Sequence, residues 1–256
     1  KIAVEETGVH RLTYEFLKNE LGIAVDDLDP RNLQLFGNGG GMLPEANLIE
    51  RPDDLLENAI QVVGEEDGIF NQNDYVLFYA EGADEWQYEP DNQRFKRREH
   101  FYDNQNYYFI KVGPQAGKRI TTQPSLSGTV YTSTEFDDYA YYEEELINLM
   151  DPADGSQGTG KLWFGDYFKN IKTRDYEFQF PNRIVNQPVK VAAQFAGRSA
   201  SAGGFTYFSV RTAGGDKLVS NGMRGTNLGN TAEAQYAHLS RIDGELRVGG
   251  ETVGIT

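Results

Sequence analysis

Residues 74–82 read DYVLFYAEG, and this stretch decides the fold class. Its Tyr, Val, Leu and Phe side chains are typical of a β-strand, and glycine ends it. Two further stretches have the same form, NAIQVVG at 58–64 and YYFIKVG at 107–113. Because each runs through both polar and apolar positions, the three stretches predict strands of a sheet that is covered on one face.

The second half of the chain continues in strands. We predict them for YEFQF (176–180), VKVAAQF (189–195), FTYFSVRT (205–212) and LRVGG (246–250), and for GTVYTSTEF (128–136) ahead of them. In VKVAAQF the apolar side chains fall on one face, as a sandwich strand requires. These side chains are Val189, Val191, Ala193 and Phe195.

Two short helices are expected among the strands. Thr13 is placed to cap the first helix, in which Leu12 packs onto Phe16 and Leu17, and Gly22 is placed to end it. The second helix is predicted over 137–150, DDYAYYEEELINLM, because four side chains recur at helical spacing. They are Tyr139, Tyr142, Leu146 and Leu149.

The predicted fold class is therefore mainly β with α+β elements. We expect a β-rich N-terminal module with two short helices over residues 1–155, followed by a β-sandwich over residues 156–256. The sequence ends in VGGETVGIT without a capping element. We therefore expect a trimmed piece of a longer polypeptide, with the sandwich cut at its C-terminal end.

Composition excludes several classes of function. With 39 acidic and 24 basic residues the net charge is −15, which argues against nucleic acid and anionic membranes as partners. The chain has no cysteine, so a thiol nucleophile, a disulfide and a cysteine-ligated zinc site are excluded. No apolar run approaches the roughly 20 residues that a membrane-spanning helix needs.

Two glycine-rich stretches resemble nucleotide-binding loops but lack essential parts. DGSQGTGKLW at 154–163 has the G-x-x-x-x-G-K spacing, yet Leu162 stands where a phosphate loop needs Ser or Thr for magnesium. GNGGG at 37–41 lacks the dinucleotide-binding spacing. We predict a connection between domains at 151–161, a structural turn at 37–41, and no cofactor at either.

Catalytic residues are not evident. The three histidines, His10, His100 and His238, occur in separate settings, and none belongs to a Ser/His/Asp pattern. We predict no active site in this chain.

The loop DGIFNQND, 67–74, is a candidate calcium site. Asp67, Asn71, Asn73 and Asp74 supply hard oxygen ligands within eight residues, and calcium prefers such ligands. The spacing is not that of an EF-hand. The alternative is a solvated hairpin loop.

ADEWQYEP, 83–90, is a candidate contact surface for a glycan or a protein partner. Trp86 and Tyr88 lie two residues apart, on one side of an extended chain, with carboxylates beside them. Aromatic platforms of this kind stack on sugars, and they also cover cores at sheet edges. The basic stretch FKRREH, 95–100, is either a partner contact or a solvated charged face.

Four blocks of the chain, in order, resemble one protein family. The blocks are TGVHRLTY (7–14), DPRNLQLFG (29–37), NAIQVVGEEDGIFNQNDYVLFYAEG (58–82), and YYEEELINLM (141–150) with LWFGDYF (162–168). They are similar to the N-terminal part of the gingipain-like cysteine peptidases that act as sortases in the type IX secretion system of Bacteroidetes. The resemblance covers about residues 1–180. Its departure is DPADGSQGTGK, where the family has a short Ser-Gly-Arg.

The resemblance implies a secreted or outer-membrane parent that cleaves sorting domains, with its catalytic Cys and His in a later domain. This chain would then be a non-catalytic region that positions the peptidase domain or docks other secretion-system proteins. An extracellular carbohydrate-binding or adhesion module is the alternative, which rests on Trp86 and Tyr88. A stand-alone hydrolase is a third, weaker possibility.

Overall fold

The computed structural model describes residues 1–128, 131–147, 162–199, 203–225 and 237–256. The chain forms two compact units, residues 1–132 and 133–256. Antiparallel strands dominate the described residues of both, which confirms the predicted mainly β fold class. The predicted division after residue 155 falls outside the described residues, and the two compact units divide ahead of it.

The first unit is built from short strands joined by turns. They are β1 (Ile2–Val4), β2 (Gly8–Thr13), β3 (Leu33–Phe36), β4 (Glu57–Asn58), β5 (Gln61–Val63), β6 (Tyr75–Ala80), β7 (Glu85–Glu89), β8 (Arg94–Arg98) and β9 (Asn106–Val112). The strands predicted from DYVLFYAEG and YYFIKVG are confirmed as β6 and β9. NAIQVVG forms β5, and its first residue ends β4.

Strand pairing gives two sheets and a separate hairpin. One sheet has the order β1-β9-β3-β4, the other has β2-β6-β5, and β7 pairs with β8 alone. All of these pairs are antiparallel. Hairpin-like antiparallel connections allow each sheet one buried and one solvated face.

The two sheets share one hydrophobic core. Ile2, Val4, Leu33, Leu35 and Tyr108 come from the four-stranded sheet, and Leu12, Val62, Val76, Phe78 and Ala80 come from the three-stranded one. The rings of Phe78 and Tyr108 meet with centroids 5.7 Å apart. Since burial of one such side chain contributes about 1.5–3 kcal/mol, this shared core is the main stabilising element of the unit.

The first predicted helix is confirmed, and its hydrogen bonding is of the π type. Helix α1 (Phe16–Glu20) follows the cap in which Thr13 Oγ1 accepts a hydrogen bond from Phe16 N at 3.2 Å. Leu17 is fully buried, and Gly22 has a φ of +66°, as a helix-ending glycine should. Strand β2, directly before the cap, was not predicted.

Four single turns of 3₁₀ helix connect these elements: Val25–Asp27, Pro30–Asn32, Glu65–Asp67 and Pro90–Asn92. Asp29 caps the second of them, because its carboxylate accepts a hydrogen bond from Arg31 N at 3.1 Å. Asp29, Pro30 and Arg31 belong to the second block of the family resemblance, so these residues have a structural role here.

The second unit consists of two-stranded antiparallel pairs. Its strands are β10 (Tyr176–Gln179), β11 (Val189–Gly197), β12 (Phe205–Thr206), β13 (Ser209–Arg211), β14 (Lys217–Val219), β15 (Met223–Arg224), β16 (His238–Leu246) and β17 (Thr252–Ile255). β10 pairs with β17, β11 with β16, β12 with β15, and β13 with β14.

The predicted face of VKVAAQF is confirmed. Val191, Ala193 and Phe195 of β11 pack against a small buried cluster. The buried members of that cluster are Val210, Ile242 and Leu246. The period-2 pattern therefore identified the face of β11 that meets the core.

Several predicted elements are wrong within the described residues. Residues 137–147 contain no helix, because Ile147 instead pairs with Phe164 in a β-bridge and the Tyr142 ring packs against Tyr176. Residues 131–136 contain no strand. There Ser133 Oγ donates to Glu135 O at 2.6 Å, a local bond that competes with strand pairing.

Two other strands have different bounds from those predicted. FTYFSVRT is divided into β12 and β13. Between these strands, Phe208 N donates to the Ser220 hydroxyl, and Ser220 N donates to Phe208 O. LRVGG contributes only Leu246, the last residue of β16.

Candidate functional site

The β7–β8 hairpin carries the predicted contact residues. Its register places Trp86 opposite Arg97, Tyr88 opposite Phe95, and Glu89 opposite Arg94. The 3₁₀ turn Pro90–Asn92 and Gln93, with a φ of +46°, reverse the chain. Since side chains alternate along each strand, the hairpin has two chemically distinct faces.

One face of the hairpin is a row of opposite charges. The Glu89 carboxylate forms ion pairs with Arg94 at 3.0 Å and with Lys96 at 3.4 Å. Glu85 lies 3.7 Å from Arg98. The hydrogen bond from Arg94 holds the pKa of Glu89 below its ordinary value. The basic stretch FKRREH thus finds its counter-charges within the hairpin, which favours the structural interpretation of that stretch over a partner contact.

The other face carries the aromatic side chains. Trp86 and Tyr88 lie on it together, as their spacing predicts. Tyr88 packs against Phe95 with ring centroids 5.4 Å apart and remains 46% exposed. Trp86 is half-buried. The face therefore offers one open ring, that of Tyr88, beside a partly covered indole.

A half-buried ion pair fixes the base of the hairpin. Asp84 accepts from Arg97 Nη2 at 2.5 Å and Nε at 3.1 Å, and its second oxygen accepts from His100 N at 2.8 Å. The side chains of Arg97 and Asp84 are only 16% and 25% exposed. Asp84 therefore positions the hairpin.

The glycine loop 37–41 packs against the loop that leads into this hairpin. Gly40 N donates to the Glu81 carboxylate at 2.7 Å, and Asn106 Nδ2 donates to Gly39 O. A Cβ at Gly37 would lie 2.5 Å from the Tyr108 ring. The backbone of this loop lies so close to the Tyr108 and Glu81 side chains that glycine is needed at Gly37 and Gly40. This agrees with the predicted structural turn.

The candidate calcium loop brings its two carboxylates to backbone donors. Ile69 N donates to Asp67 at 2.9 Å, and Asn71 N donates to Asp74 at 2.6 Å. Asn71 Nδ2 also donates to Asp67 at 3.3 Å, while Asn73 is exposed. Among the described residues no three His, Cys, Asp or Glu side chains form a metal-sized group. A calcium ion here would also need oxygen ligands from Asn71 and Asn73, and calcium binding stays a prediction.

The three histidines lie in different structural elements. His10 Nε2 lies 2.9 Å from Glu6 O and its ring packs on Phe78. His100 Nδ1 accepts from Asp103 N at 3.1 Å. His238 lies in β16, opposite Gly197. The rings of His10 and His100 therefore each serve their own local structure. The near phosphate loop at 154–161 lies outside the described residues.

Arg119 was missed by the sequence reasoning. It lies in a segment assigned only as a connection, yet its guanidinium donates to Leu33 O, Pro30 O and Arg31 O at 2.9–3.1 Å and pairs with Glu65 at 2.8 Å. Carbonyl partners so distant along the sequence leave no local pattern. The basic pair Lys118-Arg119 after Gly117, in a stretch otherwise rich in Gly, Pro and Ser, was the one available signal.

A polar cluster around Asp166 in the second unit was also missed. Tyr176 OH donates to Asp166 at 2.5 Å, and Arg174 pairs with Asp166 at 2.9 Å. Burial and the bond to Asp166 raise the pKa of Tyr176. The Tyr142 ring lies 4.8 Å from that of Tyr176. This cluster ties the segment before residue 147 to the LWFGDYF block.

Comparisons with known proteins give one informative likeness. No family model matches the sequence, and no curated protein matches it. Among solved structures, the fold is similar to that in the crystal structure of dimeric latent PorU from Porphyromonas gingivalis, with a TM-score of 0.70 and 22% sequence identity. The alignment covers 99% of this chain and 22% of that one. This chain therefore has a PorU-like fold over nearly its whole length, and spans about a fifth of the length of that protein.

Two further facts bear on function. The chain contains no cysteine, so it is not itself a catalytic cysteine peptidase. In the part of the chain that the structure describes, no helix is long and apolar enough to cross a membrane.

Proposed function

We propose that this chain is the non-catalytic N-terminal region of a gingipain-like cysteine peptidase or sortase of the type IX secretion system. In this role it positions a downstream peptidase domain of the same polypeptide or docks other secretion-system proteins. The proposed location is extracytoplasmic, at the outer membrane or the cell surface.

The observation that carries the proposal is the extent of the PorU-like fold. The likeness runs through 99% of this chain but only 22% of the PorU chain, as expected for one region of a larger protein. Four sequence blocks that resemble the same family occur in order along residues 7–168. Fold likeness alone does not carry function, so the ordered blocks supply the independent support.

The blocks are built into the fold rather than into a reaction centre. Thr7 Oγ1 accepts from Gly82 N at 2.9 Å, which joins the first block to the third. A Cβ at Gly82 would lie 2.3 Å from Glu5 O. Residues with such roles preserve a scaffold, and a scaffold without the family's cysteine nucleophile suits a positioning or docking region.

The experiment is to determine the reading frame that follows Thr256 and then to delete codons 1–256 from the gene. The proposal expects a downstream domain with a His and Cys pair. The deletion should leave secreted cargo with its sorting domain uncleaved, as would replacement of that Cys by Ala. A stop codon soon after Thr256, or normal cargo processing in the deletion strain, would refute the proposal.

A carbohydrate-binding or adhesion module is the second candidate function. It is favoured by Trp86 and Tyr88 sharing the hairpin face on which Tyr88 is 46% exposed. A glycan array should then detect binding that Trp86→Ala and Tyr88→Ala abolish. Tyr102→Ala, at an exposed ring on another segment, is the matched control. Equal binding by all variants, or none by the native chain, excludes this function.

A further inference from the structure

The second unit has a strand edge along residues 205–211. These residues comprise β12, β13 and residues 207–208 between them. Exposed and covered side chains alternate along the whole stretch without interruption, as they do in an extended chain. We call residues 205–211 the β12–β13 edge.

Hydrogen bonds fix the direction in which the backbone groups of this edge point. Gly204 O accepts from Gly225 N at 2.8 Å, and Phe208 O accepts from Ser220 N at 2.8 Å. The even-numbered residues therefore face β14 and β15. Since the hydrogen-bonding direction alternates from one residue of a strand to the next, the odd-numbered residues present their N–H and C=O groups to the opposite side. These residues are Phe205, Tyr207, Ser209 and Arg211.

One place on that side is occupied by the end of β17. Arg211 N donates to Thr256 O and Thr256 N donates to Arg211 O, both at 2.9 Å. Two reciprocal bonds between two residues are the hydrogen-bonded pair of an antiparallel ladder. The Thr256 hydroxyl also donates to the Asp175 carboxylate at 2.5 Å, and Ile255 packs against the buried cluster of the second unit. The direction of the chain at Thr256 is therefore well defined, antiparallel to β13.

The other places on that side have no strand partner among the described residues. There, β12 pairs only with β15, and β13 only with β14, both on the opposite side. Phe205 is 58% exposed, Tyr207 is 60% exposed, and Ser209 is exposed as well. A strand edge with unpaired N–H and C=O groups is a template for a further strand.

We propose that the residues that follow Thr256 in the whole polypeptide continue β17 as a strand along the β12–β13 edge. Their ladder begins with a pair that is already formed, Arg211 with Thr256. Hydrogen-bonded pairs recur at every second residue. The second residue after Thr256 therefore pairs with Ser209, and the fourth and sixth pair with Tyr207 and Phe205. This inference rests on the proposed function, which places a further domain of the same polypeptide after Thr256.

The added strand also covers the exposed rings of the edge. Residues directly opposite each other in an antiparallel pair have their side chains on the same face. The fourth and sixth residues after Thr256 then lie beside the rings of Tyr207 and Phe205, whose centroids are 6.4 Å apart. A chain that leaves the second unit as a paired strand has a fixed direction, unlike a flexible linker. This pairing is the means by which the unit would position the next domain.

The test is a cross-strand disulfide in the whole polypeptide, with any cysteine of its downstream part replaced by Ala. Residues 1–256 contain no cysteine to compete. Ser209→Cys is combined with Cys at the second residue after Thr256, because Cα atoms of a hydrogen-bonded pair lie about 5.5 Å apart, within the reach of a disulfide. The matched control combines Ser209→Cys with Cys at the third residue after Thr256, whose side chain lies on the other face. Mass spectrometry after mild oxidation measures the linked fraction.

Amide hydrogen exchange of the unsubstituted whole polypeptide tests the same pairing without a mutation. The N–H groups of Ser209 and Tyr207 should exchange at least about a hundredfold more slowly than in an unstructured chain. Gly214, exposed in the turn between β13 and β14, is the internal control and should exchange rapidly. The sequence after Thr256 provides a third check, because Pro at its second or fourth residue would lack the N–H that the ladder requires.

The disulfide should form at least about tenfold more in the Ser209 pair than in its control, because only that pair has the required geometry. Equal linkage in both, linkage only between two polypeptides, rapid exchange at Ser209 and Tyr207, or Pro at either ladder position overturns the inference. Any of these results beside a downstream peptidase domain leaves the proposed function standing. The expected disulfide in a polypeptide without a peptidase domain supports the strand and refutes the proposed function. A stop codon soon after Thr256 refutes both.

Discussion

Replacement of Arg119 by Ala should destabilise the first unit more than any other single change of a charged side chain described here. Besides the carbonyl of its neighbour Lys118, the guanidinium bonds three backbone carbonyls distant in sequence, Leu33 O, Pro30 O and Arg31 O, and the Glu65 carboxylate. It thereby holds the segment around Gly117 against β3. The Arg119 side chain is only 22% exposed, so water replaces these bonds poorly.

The magnitude follows from the individual contacts. A net contribution of about 1 kcal/mol for each carbonyl bond, with nothing added for the partly screened ion pair, gives about 3 kcal/mol. At roughly 2–4 °C per kcal/mol for a protein of this size, the melting temperature should fall by about 6–12 °C. Arg119→Lys should lie between, because one ammonium group cannot reach all three carbonyls.

Urea unfolding followed by tryptophan fluorescence measures this change in the correct unit. Trp86 lies in the first unit and Trp163 in the second, so a Trp163→Phe background isolates the first. The matched control is Arg31→Ala, whose side chain is 56% exposed and pairs with its neighbour Asp29. It should cost less than about 1 kcal/mol.

A loss below about 1 kcal/mol for Arg119→Ala, or equal losses for Arg119→Ala and Arg31→Ala, would refute the reasoning. Either outcome would mean that the 113–120 segment is held by its backbone bonds alone. Those bonds include Gly117 N to Arg31 O at 3.0 Å and Ile120 N to Ile60 O at 2.9 Å.

Three further predictions test other parts of the molecule. Gly82→Ala should unfold the first unit at lower urea than Gly8→Ala, because a Cβ at Gly82 would lie 2.3 Å from a backbone oxygen whereas one at Gly8 has nothing within 4 Å; equal midpoints would contradict this. Millimolar calcium should raise the melting temperature by several degrees if residues 67–74 bind it, and an unchanged melt rejects the site. Burial raises the pKa of Tyr176 above its ordinary value of 10.0. The protonated phenol therefore contributes fully to the free energy of unfolding below pH 10, and this contribution is lost as the pH rises from 10 through the raised pKa. Stability should therefore fall less steeply above pH 10 in Tyr176→Phe, and parallel pH profiles would count against the assignment.

The strands that the sequence predicted well are those with two signals at once. β6 and β9 combine a short apolar run with β-branched or aromatic side chains, and β11 combines alternating apolar positions with valines and Phe195. The first helix had a capping Thr13 and a terminal Gly22, both of which the structure places as expected. Local patterns sufficed where local bonds define the element.

The failures came where distant partners decide the conformation. Residues 137–150 have helical spacing, but their tyrosines and aspartates are weak helix formers. Contacts of Tyr142 with Tyr176 and of Ile147 with Phe164 then favour the extended form. Such contacts join residues far apart in sequence, so periodicity could not reveal them.

The candidate site was predicted in part. The spacing of Trp86 and Tyr88 correctly indicated a shared face, because strand geometry alone sets it. The engagement of Asp84 by Arg97 could not be predicted, since it depends on the hairpin register and on the fold of residues 99–100. Residues 137–150 were predicted as a helix, and residues 137–147 contain none.

The bond from Gly40 N to Glu81 also explains why the glycine loop is a poor guide to ligands. A glycine-rich loop can offer its N–H groups to an anion, and here a carboxylate 41 residues further along the chain occupies one of them. A free phosphate would have to compete with an anion that the polypeptide itself tethers at high effective concentration. Glycine spacing indicates only that the backbone approaches a hydrogen-bond acceptor closely. Whether that acceptor is a bound ligand or a side chain of the same polypeptide depends on the rest of the chain.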